Sequence, residues 1–226
     1  MHAHDEKDRP VRLQADGVTL DGDLTMPKGA RGVVLFAHGS GSSRLSSRNR
    51  RVARSLQDAG LATLLMDLLT AEEERAEAQT GHLRFDIPLL ADRLESALAW
   101  LAQDAETAPL PVGLFGASTG AGAALVAAAR RPRAVRAVVS RGGRPDLAGD
   151  DLARVTCPTL LIVGGEDRPV IPLNRAALDR LRGEKRLEIV PGATHLFEEP
   201  GTLERVAVLA REWMLRYLPP DAGASG

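Results

Sequence analysis

Gly116-Ala117-Ser118-Thr119-Gly120 is the stretch that most constrains what this chain can fold into. An apolar run at 112–115 precedes it and an Ala-rich segment at 123–130 follows. Physically, this is a strand, a very tight turn and a helix. Ser118 sits at the turn, where an unfavourable backbone conformation lifts its hydroxyl clear of the sheet. Glycine at 116 and 120 suits that geometry, because a Cβ at either position would crowd the strand or helix beside the turn.

The rest of the chain repeats the alternation. Residues 11–15 and 18–26 flank Asp16-Gly17, a hairpin signal. Continuous apolar runs at 32–37 and 61–66 read as strands buried on both faces, with a helix over 49–59 between them that Gly60 stops. Asp86 reads as an N-cap, and Pro88 fits the first turn of a helix over 87–102 with Ile87, Leu90, Leu94, Leu98 and Leu101 on one face. Further strands are expected at 134–140, 159–163 and 186–190, and helices at 174–181 and 202–218. Residues 68–86 read as irregular and charged. The pattern predicts an α/β fold: one domain over 11–218, a mainly parallel sheet with helices on both faces, and flexible tails at 1–10 and 219–226. The 141–156 connection is too short for a large cap domain.

Composition narrows the function. A net charge of −1 gives no electrostatic case for nucleic acid or an anionic membrane surface. With aromatics at 3%, a base-stacking or sugar-stacking surface is disfavoured. Cys157 is the sole cysteine, so no intrachain disulfide forms. The N-terminus lacks the apolar core of an export leader, and no apolar run approaches transmembrane length, so a cytoplasmic location is expected.

A serine hydroxyl is a poor nucleophile until a base takes its proton, and a carboxylate must hold that base in the right tautomer. Among the five histidines, His2 and His4 lie in the tail, and His38 and His82 precede Ser118. Where a serine follows this kind of turn, its partners come in the order serine, acid, histidine, which leaves His195. The acid belongs at the end of the 159–163 strand, where Gly164-Gly165-Glu166-Asp167 offers two adjacent carboxylates. Asp167 is preferred for its shorter reach over the sheet. Asp146, Asp150 and Asp151 are weaker competitors. Oxyanion donors are expected from the Thr119 N–H and, in the turn after 32–37, the Ser40 N–H. His38 is read as a ring that holds this loop.

Gly39-Ser40-Gly41 with Asp67 imitates a dinucleotide fingerprint, but Arg44 stands where close helix packing needs glycine. No motif supports a metal, an NTP or any cofactor. Arg44, Arg48, Arg50, Arg51 and Arg54 crowd the region beside the oxyanion turn. Most of that cluster reads as a solvated face, while Arg44 or Arg48 is the candidate to reach the site mouth and favour carboxylate-bearing substrates.

His38-Gly39-Ser40-Gly41, Gly116-Ala117-Ser118-Thr119-Gly120, the 164–170 stretch and Ala193-Thr194-His195 together resemble the α/β-hydrolase superfamily, and within it the small cap-less esterases of the dienelactone-hydrolase-like branch. The resemblance implies an eight-stranded sheet with the second strand antiparallel. It also implies a triad of Ser118, Asp167 and His195 and an oxyanion hole from Ser40 and Thr119. One departure stands out: the namesake enzymes use a cysteine nucleophile where this chain has Ser118. The resulting expectation is a general carboxylic-ester hydrolase acting on small-molecule esters or lactones without a cofactor. An acyltransferase or perhydrolase would share the triad, and a non-catalytic ligand-binding relative is the third alternative.

Overall fold

In the computed structural model, which describes residues 7–219, one eight-stranded sheet carries helices on both faces. The elements run β1 (Lys7–Ala15), β2 (Val18–Met26), β3 (Val33–Ala37), α1 (Ser47–Gln57), β4 (Ala62–Met66), α2 (Ala71–Thr80) and α3 (Ile87–Leu101). They continue through β5 (Val112–Ala117), α4 (Thr119–Arg130), β6 (Val135–Arg141), β7 (Thr159–Gly164), α5 (Val170–Arg180), β8 (Lys185–Val190) and α6 (Thr202–Tyr217). Single-turn 3₁₀ structure fills Leu83–Phe85, and a kinked 3₁₀ stretch fills Pro145–Arg154.

The strand order is β1-β2-β4-β3-β5-β6-β7-β8. Only β2 runs against its neighbours, pairing antiparallel with both β1 and β4. The β1–β2 hairpin turns on Asp16 and Gly17, both at positive φ (45° and 82°), the left-handed pair that matches strand twist. Central strands divide their side chains between two cores. Val33, Leu35 and Ala37 face the layer of α3, α4 and α5, whereas Val34 and Phe36 face α1 and α6. Phe36 packs on Phe115 with ring centroids 4.8 Å apart.

The chain leaves β3 in one direction along the sheet and β5 in the other. At such a switch point the loops after the two strands diverge and open a crevice at their carboxyl ends. The Ser40 loop and the Ser118 turn border that crevice.

Two expectations need correction. The first strand begins at Lys7 rather than at residue 11, because β1 is an edge strand that tolerates Pro10 and Arg9 is tied down by Asp104 at 2.6 Å. The rest of the expected tails, 1–6 and 220–226, lies outside the described residues. The 68–86 stretch is not irregular, since α2 and the 83–85 turn occupy most of it. Thr70 and Glu73 close a capping box at the start of α2, and Glu73 also pairs with the buried Arg93 at 2.8 Å. Among the described residues, no helix is long and apolar enough to cross a membrane.

Candidate active site

Ser118 sits between β5 and α4 at φ 52°, ψ −123°, a strained conformation for a residue with a Cβ. The crowding that produces it is visible at the flanking glycines. A Cβ on Gly116 would lie 2.4 Å from the Ala121 Cα, and one on Gly120 would lie 2.4 Å from the Ala37 and His38 carbonyl oxygens. The Ser118 N–H donates to the Arg141 carbonyl of β6 (3.2 Å), which fixes the turn to its neighbouring strand.

Asp167 follows β7 and is buried, while its neighbour Glu166 is exposed beside Arg168. His195 follows β8 and reaches both other residues. Its Nδ1 lies 2.7 Å from Asp167 Oδ2, and its Nε2 lies 3.4 Å from Ser118 Oγ. With Nδ1–H donating to the carboxylate, Nε2 is left as the acceptor facing the serine hydroxyl. The 3.4 Å separation is long, as hydrogen bonds at sites without substrate often are. The competing carboxylates are engaged elsewhere: Asp146 with Arg144, Asp150 with Arg180, and Asp151 with Arg154.

Thr119 occupies the first position of α4, where a backbone N–H has no intrahelical partner. The Ser40 N–H donates to Thr119 Oγ1 at 3.1 Å, which ties the loop carrying one expected oxyanion donor to the residue carrying the other. His38 is buried and holds two loops together. Its Nδ1–H donates to the Gly39 carbonyl, and Nε2 accepts from the Leu68 N–H, each at 2.9 Å. Burial pushes its pKa down, against the opposing pull of the Gly39 carbonyl and Asp67, so the ring stays neutral. Beside these residues lies a narrow crevice of about 10 Å³, bordered by Leu68, Leu69, Leu90 and Glu74. Burial, together with Asp67 and Glu77, raises the Glu74 carboxyl.

The two arginines singled out from the sequence part company. Arg44 is committed to Asp67, through its backbone N–H (2.7 Å) as well as its guanidinium, and it reaches Asp23 at 3.6 Å. Arg48 turns instead to Glu198, three residues past His195, at 3.1 Å. Two further residues carried no signal in the sequence. Glu199 accepts from the Thr194 hydroxyl (2.6 Å) and N–H (3.1 Å), bonds that hold its carboxyl below the ordinary range and brace the His195 loop. Arg141, at the end of an apolar strand, lies buried behind that loop. Cys157 is buried outside the motifs, its thiol pushed up to about 11 by burial. Among the described residues, no group of three His, Cys, Asp or Glu could hold a metal ion.

This fold, with a serine turn at its switch point, defines an α/β-hydrolase-type protein. The chain belongs to the dienelactone hydrolase family, which residues 20–215 match. A dienelactone hydrolase from Anabaena variabilis is 61% identical, with a TM-score of 0.93 over 95% of this chain and 100% of that one. Two more distant structures share the fold: Est1E from Butyrivibrio proteoclasticus (18% identity, TM-score 0.78, 92% of this chain and 98% of that one) and a serine hydrolase without lid from Xanthomonas campestris (20%, 0.75, 94% and 96%). A Mycobacterium tuberculosis protein that carries a provisional phosphoribosyl transferase name is 60% identical over 212 residues. That match covers 94% of this chain and 47% of the relative, so the chain spans about half the length of the curated relatives it matches.

Proposed function

We propose that the protein is a serine carboxylic-ester hydrolase that works through an acyl-enzyme on small-molecule ester or lactone substrates. The observation that carries this reading is His195 standing between Ser118 and Asp167 at hydrogen-bonding range of both. In the proposed cycle, Ser118 Oγ attacks the ester carbonyl as His195 Nε2 takes its proton, and Asp167 stabilises the imidazolium. The developing oxyanion takes the place of Thr119 Oγ1 against the Ser40 N–H and also receives the Thr119 N–H. His195 returns the proton to the departing alcohol, and water then deacylates the serine by the same route. Leu68, Leu69 and Leu90 offer the substrate an apolar wall beside the Ser40 loop.

Phosphoribosyl transfer is not carried over from the longer mycobacterial relatives, because a nucleophile, base and carboxylate in this arrangement perform acyl chemistry. Action in the cytoplasm remains part of the proposal. Ser118→Ala is expected to lower kcat by up to about a million-fold on a panel of p-nitrophenyl esters, and to abolish fluorophosphonate labelling. Near-normal turnover in that variant would remove Ser118 from the mechanism. Product analysis with competing alcohols and peroxide separates hydrolysis from acyl or peroxide transfer.

A further inference from the structure

Arg141 ends β6 next to the nucleophile turn. Its side chain extends to the face covered by α1 and α6, where it is only 7% exposed. Its Nη2 makes one long contact, 3.4 Å, to Asn49 Oδ1 in the first turn of α1. Its Nε has no hydrogen-bond partner, and the guanidinium stands 6.0 Å from the ring centroid of Phe197, two residues past His195. No carboxylate neutralises it among the described residues, and the charge closest in effect is another cation, Arg48. Burial and that repulsion bring the Arg141 pKa down to about 10. Among the described residues, Arg48 in turn pairs with Glu198 alone, whose side chain is 63% exposed, and its Nε is also unpartnered.

Arg93 offers the contrast of a buried guanidinium with a counter-ion. Arg93, 3% exposed, has Glu73 at 2.8 Å. A buried cation without a counter-ion is strongly destabilising, so a second cation beside it marks a place built for an anion that arrives from outside. The first turn of α1 adds the positive end of a helix to the two guanidinium forks.

We propose that Arg141, Arg48 and the first turn of α1 form an anion subsite that receives a phosphomonoester group carried by the substrate. A carboxylate has one charge and two oxygens, enough for one fork, and Glu198 already plays that part on Arg48. A phosphomonoester brings three oxygens and a second charge, which answers both forks and displaces Glu198 to solvent. The subsite borders the loop that carries His195, since the Arg141 guanidinium stands over Phe197 and Arg48 bonds Glu198. A phosphate a few bonds from the ester would therefore orient the carbonyl at Ser118. This role for the anion rests on the hydrolase reading above.

Titration calorimetry of the full chain with inorganic phosphate tests the subsite, with acetate as the monoanionic control and Arg141→Met and Arg48→Met as variants. Phosphate is expected to bind the parent protein, at least ~10-fold more tightly than acetate, and each substitution should weaken it ~10-fold or more. Without phosphate, Arg141→Met should melt at the parent Tm or above it, because it removes an uncompensated buried charge, and phosphate should no longer raise that Tm. No phosphate binding, binding unchanged in Arg141→Met, acetate binding as tightly as phosphate, or a lowered Tm in Arg141→Met would each overturn the subsite. Hydrolysis of 2-phosphoethyl acetate against ethyl acetate tests the substrate class. The expected kcat/KM ratio is at least ~10 in favour of the phosphate ester and falls toward one in Arg141→Met, whereas a ratio of one in the parent overturns it. If neither ester is cleaved while phosphate still binds, the hydrolase reading fails and the subsite stands.

Discussion

Two regions border Ser118 and are held by different physics. The turns after β5 and β7 are fixed by backbone lying against backbone: Gly120 on the Ala37 and His38 carbonyls, and Gly164, where a Cβ would stand 2.3 Å from the Ala193 carbonyl. The segment from Thr70 to Phe85 is fixed by charge. Glu73 caps α2 and pairs with Arg93, while the buried Glu77 pairs with Arg84 and accepts the Leu83 N–H at 2.6 Å. Backbone contact has no partner that can be titrated or rotated away. Polar anchoring does, so Ser118 and Asp167 are mounted rigidly while the cleft wall is the part that can open.

The largest effect should come from Gly120→Ala. The added methyl meets two carbonyl oxygens that cannot swing aside, so destabilisation of about 3 kcal/mol or more is expected by thermal unfolding, together with loss of activity. A parent-like Tm would show that these turns are looser than described. Glu77→Gln should cost about 2 kcal/mol, the worth of buried hydrogen bonds to a charged group. Its effect should be confined to hydrogen exchange over 71–85, leaving β5 and α4 protected; equal loss in both regions would erase the contrast. Thr70→Ala removes the cap of α2 for about 1 kcal/mol, read in the same amides.

Acid should distinguish the regions once more. Burial of Glu77 works against its charge, but the bonds from Arg84 and Leu83 outweigh it and hold its carboxyl below the ordinary value. The folded segment therefore binds fewer protons than the unfolded chain. The resulting stability is complete above the ordinary glutamate pKa and is lost as pH falls through the lowered one. Proteolysis within 71–85 should accelerate in acid before the Ser118 turn loosens, and Glu77→Gln should flatten that dependence. Cleavage that is insensitive to pH in the parent protein would contradict the assignment.

The same division explains what could be read in advance. The apolar spacing from Ile87 to Leu101 announces α3, and the glycines around Ser118 announce the turn, because in both the cause lies within a few residues of its effect. Helix α2 has no apolar face to announce it: Ala71–Thr80 is largely charged, and its one buried residue is Glu77. Thr70 and Glu73, spaced as a capping box, were the readable signal. Residues 7–10 were obscured for a related reason, since Arg9 is held in β1 by Asp104 and by Trp100, whose ring centroid lies 5.6 Å away. Arg141 closes a strand of ordinary β-branched sequence and carries no local mark at all.

By itself, the sequence determined the alternation of strand and helix, the tight turn that raises Ser118, and the chain order that makes Asp167 and His195 its candidate partners. Those follow from local sterics and from periodicity, which act between near neighbours. Tertiary structure alone decided which charges are answered: Arg44 by Asp67, Glu77 by Arg84, and Arg141 by no carboxylate among the described residues. Electrostatic energy depends on separation in space and on the exclusion of water, and neither exists until the chain has folded.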